Sequence, residues 1–188
     1  MSIKEIIKIA ALLLGRENVI NYLDGNTEES QVGVDCYRTV NTLTELTNLV
    51  INELCTTYIP MTKVEDVIPT DGRVYYKDLT ERALKIRAVY SKDGKELDCN
   101  KTAEYICVDY SQVAVEYDYV PANYGLDQTI GYTDKDVSAR VIANGVASEF
   151  CITEGRFDEA VTFHKRYIDA LSEICLPKNA LTKKRRWC

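Results

Sequence analysis

Histidine is almost missing from this sequence, because His164 is the only one among 188 residues. Zinc sites of the Cys₂His₂ type and HExxH proteases need two imidazoles, so both are excluded. The glycine-rich motifs that bind nucleotides and the GxSxG nucleophile turn are absent as well. We therefore expect a protein that is not an enzyme and that holds no metal and no other cofactor.

Long apolar runs are missing too. The longest, residues 9–14, is far shorter than the ~20 residues that a membrane-spanning helix needs. Glu5 and Lys8 interrupt residues 1–14 at helical spacing, so we interpret this stretch as an amphipathic first helix and not as a signal peptide. We expect no membrane partner.

Paired cysteine motifs are a third absence. The chain has seven cysteines, an odd number, with no CxxC pair and no secretion signal. We expect reduced thiols, four of which lie at apolar positions of predicted helices and should be buried: Cys36, Cys55, Cys151 and Cys175. A hydrolase that pairs Cys151 with His164 stays open as the weakest functional alternative.

Acidic residues are absent from the C-terminal tail. Residues 176–188 hold five basic side chains, so the net charge of −6 divides into +5 for this tail and −11 for residues 1–175. Three interpretations are open for the tail: a solvated terminus, a phosphate-binding segment or an arm that docks on a partner protein. The acidic body argues against a general nucleic-acid binder. The tail ends in a compact basic block with an aromatic anchor: Lys183, Lys184, Arg185, Arg186 and Trp187.

Apolar residues recur every three or four positions in five segments, which predicts helices. The fourth predicted helix is apolar almost all round, so we expect it to be buried on several sides. The fifth has the cleanest stripe, in which His164 should be half-buried. The segments are 3–14, 19–23, a stretch that begins between Asn26 and Asp35 and ends at Tyr58, 137–152 and 157–175. The stripe of the fifth consists of Phe157, Ala160, Val161, His164, Tyr167, Ile168, Leu171, Ile174 and Cys175.

Residues 60–121 alternate with period two, and two prolines bar a continuous helix, so this block is predicted to form strands. The dipeptide at 93–94, Asp-Gly, predicts a hairpin between strands 85–90 and 96–100. The dipeptide at 111–112 predicts a second hairpin between strands 105–110 and 113–120. Nine of the thirteen tyrosines lie from Tyr75 to Tyr132 and indicate either packing in the sheet or a contact surface.

The strands form an uninterrupted block between helical segments, whereas a parallel α/β sheet needs helices between its strands. The predicted fold class is therefore α+β: a helical bundle with an inserted antiparallel β unit, which is a small sheet or a sandwich, and an extended C-terminal tail. The predicted divisions are N-terminal helices of the bundle at 1–59, the β insertion at 60–121, a C-terminal helix pair at 133–176 and the basic tail at 177–188.

Three motifs follow one another near the C-terminus. They are a helix junction at Glu154, Gly155, Arg156 and Phe157, an Arg-Tyr-Ile-Asp-Ala-Leu run at 166–171, and the terminal Arg185, Arg186 and Trp187. Together with the helix that precedes them from Asp136, they resemble the head–tail connector proteins of tailed bacteriophages, which are the neck adaptors beneath the portal. The resemblance covers about the last fifty residues, and the layout of a helical bundle with a β insertion is consistent with it.

The resemblance implies a structural virion protein that forms a ring of twelve subunits, joins the portal to the tail and continues the DNA channel. The implied partners are the portal protein, a tail or second neck protein, other copies of the chain, and passing double-stranded DNA without specific binding. The implied location is the virion neck, with the host cytoplasm during assembly. The portal-docking role would fall to residues 183–187. A nucleic-acid-binding accessory protein that acts through the same tail is the alternative.

Overall fold

The computed structural model describes residues 1–26, 33–133 and 136–175. The predicted fold class, α+β, is confirmed: helices precede and follow a block of antiparallel strands. The predicted tail, 177–188, lies outside the described residues.

The chain divides into two compact units. One, the helical unit, is formed by Met1–Val50 together with Gly125–Cys188, and the other, the β unit, by Ile51–Tyr124. The helices are α1 (Ile3–Leu13), α2 (Glu17–Leu23), α3 (Val34–Glu53), α4 (Ala139–Thr153) and α5 (Phe157–Cys175), and a π-helical turn, Leu54–Tyr58, follows α3.

Helix α1 begins at a side-chain cap, since the Glu5 amide donates to Ser2 Oγ over 3.2 Å. Two other amides of this first turn have no acceptor within the helix: Ile3 donates to the carbonyl of Gln128 (3.0 Å) and Lys4 to that of Leu126 (3.1 Å). The segment that leads into α4 therefore satisfies the start of α1. Helix α1 also packs against α4.

Threonine is frequent in α3 although β-branched residues lose side-chain freedom in helices. Their hydroxyls bond back to the carbonyl four residues earlier: Thr44 to Val40 over 2.8 Å and the fully buried Thr47 to Leu43 over 2.6 Å. This pattern lets α3 bury hydroxyl groups without leaving them unpaired.

Helix α4 is buried on several sides, as its composition predicts. Gly145 faces both α3 and α5, because a Cβ at this position would meet Val50 and Tyr167. Ser148 Oγ donates to the Ala160 carbonyl of α5 over 3.0 Å. Small and polar residues thus bring α4 and α5 close together.

The apolar stripe predicted for α5 packs inward only in part. Five residues of the predicted stripe are exposed, and Phe163, which is absent from it, is buried, because the buried face of α5 runs through Phe163 and Tyr167. The five exposed residues are Phe157, Val161, His164, Ile174 and Cys175. Cys175, predicted to be buried, is exposed, whereas Cys36, Cys55 and Cys151 are buried. The residues of α5 that are buried are Ala160, Phe163, Tyr167 and Leu171.

The β unit contains a three-stranded and a two-stranded antiparallel sheet. The first has the order β1-β5-β3 and the second pairs β2 with β4. The strands are β1 (Met61–Val67), β2 (Arg73–Tyr75), β3 (Arg82–Ser91), β4 (Tyr105–Cys107) and β5 (Val113–Val120).

Both predicted hairpins need correction. The turn at Gly94 forms, but its second strand does not: one bridge joins Tyr90 to Glu96, after which Asn100 accepts from the Cys107 amide over 3.0 Å. The second hairpin is wrong, because β4 pairs with β2 and β5 pairs with β1 and β3. β5 is apolar at most of its positions, which suits the central strand of a sheet and not one arm of a hairpin.

The tyrosines of the β unit mostly serve packing. Tyr117 is fully buried in the core between the sheets, and Tyr75 and Tyr105 are cross-strand partners whose rings meet edge to face at 5.6 Å. Tyr110 is the one tyrosine of the β unit that is exposed, at 49%. These positions favour the packing interpretation over a contact surface.

Candidate functional site

The predicted helix junction is a tight turn between α4 and α5. Gly155 has a φ of 74°, a left-handed conformation that favours glycine. Its amide donates to the Ile152 carbonyl over 3.1 Å, and the Arg156 amide donates to the Cys151 carbonyl over 2.8 Å. The turn therefore closes the end of α4 and starts α5 at Phe157 with no intervening loop.

Charged side chains lock this junction. Glu154 accepts hydrogen bonds from Arg16 and from Arg156, and Arg156 also donates to Glu159 Oε1 over 2.8 Å. The hydrogen bond from Arg156 holds the pKa of Glu159 below its ordinary value, and the two carboxylates raise the pKa of Arg156. The guanidinium of Arg16 thus connects the α1–α2 turn to the α4–α5 turn, and that of Arg156 joins Glu154 to Glu159 within the junction.

Arg16 also stacks on an aromatic ring, since its guanidinium carbon lies 5.6 Å from the ring centre of Phe150. A groove of about 430 Å³ opens beside this contact. Its lining is mostly polar and consists of Arg16, Asp35, Arg38, Thr39, Thr42, Phe150, Thr153 and Glu154.

Phe157, the last residue of the predicted junction, is 65% exposed. It stands at the start of α5 next to the ion-paired turn, and Val161, one helical turn later, is 70% exposed. A large apolar side chain on a rigid turn suits contact with another protein and has no chemical group that catalyses a reaction.

Sequence reasoning identified Glu154, Gly155, Arg156 and Phe157, and the structure brings these four together. It did not identify Arg16, which completes the charge cluster. A signal was present: Gly15 and Arg16 repeat the Gly-Arg pair 140 residues before the junction, also directly after an apolar helix. Gly15 too has a left-handed φ, 68°, so the α1–α2 turn repeats the geometry of the α4–α5 turn. The Arg16 amide likewise donates over 2.8 Å to the carbonyl five residues earlier.

Other candidate residues are not brought into a site. Cys151 is fully buried, which raises the pKa of its thiol and disfavours the nucleophilic thiolate, and His164 is exposed, with its ring 6.3 Å from that of Tyr167. No hydrogen bond joins Cys151 to His164 within the described residues. The tail residues 183–187 lie outside the described part of the chain.

In residues 1–26, 33–133 and 136–175, no group of three or more His, Cys, Asp or Glu side chains is arranged to hold a metal ion. No helix within these ranges is long and apolar enough to cross a membrane.

Comparison with known proteins adds no relative. No protein-family model matches the chain, and no curated protein is significantly similar to it.

Proposed function

We propose that this chain is a subunit of the head–tail connector of a tailed bacteriophage. In this role it forms a ring, of twelve subunits by the resemblance, that joins the portal to the tail and continues the DNA channel in the virion neck. The observation that carries the proposal is the order of the Gly-Arg-Phe junction, the Arg-Tyr-x-x-Ala-Leu run and the terminal Arg-Arg-Trp. The protein has a structural role and not an enzymatic one.

The described junction supports this role. Its turn is held by two arginines on Glu154, and it presents Phe157 on a rigid element. Rigid presentation lowers the ordering cost of binding, and repetition around a ring multiplies a weak contact by avidity. The net charge of −11 for residues 1–175 also suits a DNA conduit, because negative walls repel phosphates and avoid trapping the passing duplex.

In this proposal the basic tail docks on the portal, with Trp187 as anchor and Lys183, Lys184, Arg185 and Arg186 as flanking cations. The test is cosedimentation of the purified chain with particles that carry the portal protein of the same genome. Trp187→Ala and deletion of 178–188 should each weaken binding at least about tenfold, as expected for an interface hot spot.

The matched control is Lys178→Ala, which removes a tail cation outside the block at 183–187 and should leave binding nearly unchanged. Undiminished binding by the deletion variant would contradict the docking role of the tail. The alternative, a nucleic-acid-binding accessory protein, requires that the full chain bind DNA with an affinity that falls steeply between about 50 and 200 mM salt, and that the deletion abolish this binding.

A further inference from the structure

Helix α5 has more apolar surface than its own fold buries. One stripe, centred on Phe163 and Tyr167, packs inside the helical unit. Beside it runs a second row, which we call the α5 seam: Phe157, Val161, His164 and Ile168. The first three residues of the seam are exposed and Ile168 is half-buried.

The spacing of the α5 seam is that of a helix-pairing surface. Its residues are separated by four, three and four positions, which is the a/d pattern of a coiled coil. Phe157 is 65% exposed and Val161 70% exposed, so the surface of the described chain leaves this pattern uncovered. A seam with this period fits a second helix that lies alongside it.

We infer that the α5 seam pairs with the α5 seam of a second copy of this chain, with the two helices antiparallel. In this register Phe157 lies against Ile168 of the second copy, and Val161 lies against His164 of the second copy. The twofold axis repeats each of these two contacts, so all four seam residues of each helix are in contact with the other helix.

Two charges beside the seam favour this occupant and this direction. Asp158 and Lys165 follow Phe157 and His164, the two seam residues at d, so both occupy the e position that flanks a coiled-coil seam, and both are exposed. In the antiparallel register Asp158 faces Lys165 of the second copy, and Lys165 faces Asp158, so two opposite-charge pairs form. A parallel pair would place these charges against the side that carries Ala160 and Tyr167, which are buried and uncharged. Helix α5 is therefore complementary to itself only when antiparallel.

The contact is small. Residues 157–168 span about 16 Å of helix at 1.5 Å per residue, so the buried area lies at the low end for specific interfaces and the association is weak. A twofold contact also cannot be the contact between neighbours around a cyclic ring. The inference thus goes beyond the proposed function and describes how copies of the chain meet away from the portal.

The test is sedimentation of the full chain from about 1 μM to about 1 mM, with three charge variants at the same concentrations. Wild type should show a concentration-dependent monomer–dimer equilibrium. Asp158→Lys and Lys165→Asp should each raise the dissociation constant at least about tenfold, because each creates two like-charge pairs. An equimolar mixture of the two variants should restore dimers, since all four facing charges are then opposite.

The control is Glu173→Lys, which likewise replaces an acidic side chain by lysine, at an exposed position of α5 that does not adjoin a seam residue, and should keep the wild-type equilibrium. Circular dichroism confirms that each variant remains helical. A monomeric wild type at every concentration, or a mixture no more dimeric than its components, would overturn the inference. Dimers that form only after deletion of 178–188 would also overturn it, because the tail of the same chain would then be the occupant of the seam.

Discussion

Glu65 ties three segments of the β unit together through one carboxylate. Tyr117 Oη donates to it over 2.7 Å and Thr80 Oγ over 2.7 Å, and the Thr80 amide donates as well. Burial by itself would raise the pKa of Glu65, but these hydrogen bonds and the charge of Lys63 outweigh it, so the pKa lies below the ordinary 4.5. Burial and the bond to Glu65 raise the pKa of Tyr117 to about 12, which keeps its hydroxyl a donor.

This carboxylate predicts an acid dependence of stability. A group whose pKa is lowered by folding stabilises the folded state above its unfolded pKa and loses that contribution as the pH falls through its folded pKa. Glu65→Gln should therefore cost about 1–2 kcal/mol of unfolding free energy near pH 7. The difference from wild type should shrink as the pH falls from about 6 through the lowered pKa of Glu65.

Urea unfolding at a series of pH values measures both free energies. The matched control is Asp66→Asn, which removes a carboxylate at the next, exposed position and should change stability by less than about 0.5 kcal/mol. If the difference in unfolding free energy between wild type and Glu65→Gln grew as the pH fell, folding would not lower the pKa of Glu65 and this prediction would be wrong.

Single residues also show how far the site could be predicted. The junction residues Glu154 to Phe157 stand next to one another in the sequence, so a motif can reveal them. Arg16 reaches Glu154 only because α1 packs against α4, and this long-range contact has no local pattern. The exposure of Val161 was likewise hidden, since apolar spacing defines a stripe but not how much of it the fold covers.

At the scale of elements, the packing of α3, α4 and α5 depends on a missing side chain. The Cβ of an alanine at 145 would lie 3.0 Å from Val50 Cγ1 and 3.2 Å from Tyr167 Cε2. Val50 and Tyr167 are each 1% exposed, so neither can relieve the contact by moving into solvent. The helices meet here because α4 offers bare backbone.

Gly145→Ala tests this packing. Alanine favours a helix interior by about 1 kcal/mol over glycine, whereas overpacking a tight core costs about 1–3 kcal/mol. We expect a net loss of about 1 kcal/mol in the free energy of unfolding, measured by denaturant titration. The double variant Gly145→Ala/Val50→Ala should lose less unfolding free energy than the sum of the two single losses, because the smaller side chain at 50 makes room for the new Cβ. A Gly145→Ala protein that is more stable than wild type would contradict this, because Val50 and Tyr167 would then accommodate the added Cβ without a net cost.

Elements themselves were predictable where local chemistry decides them. Helical period located the five helices, and the Asp-Gly turn at Gly94 forms as its sequence indicates. The pairing of strands was not predictable in the same way. β4 joins β2, thirty residues earlier in the chain, because Val74 and Ile106 face each other and share the core of the β unit. Such a choice depends on which surfaces can be buried together and not on the dipeptide between two strands.

At the scale of the whole molecule, one fold class follows from the order of its elements. A block of strands between helices predicted α+β, and this fold class is confirmed. The bonds that the returning chain makes to α1 were not predictable, because Gln128 and Leu126 accept from the first turn of α1 through backbone carbonyls, which every residue type provides.

The central claim is that the chain is a ring subunit of a phage connector. The most direct measurement is electron microscopy of the full-length chain mixed with portal-bearing particles of the same genome. The proposal predicts a ring of added density beneath the portal, coaxial with the DNA channel. Particles that show no added density at saturating protein, or density away from the portal axis, would contradict it.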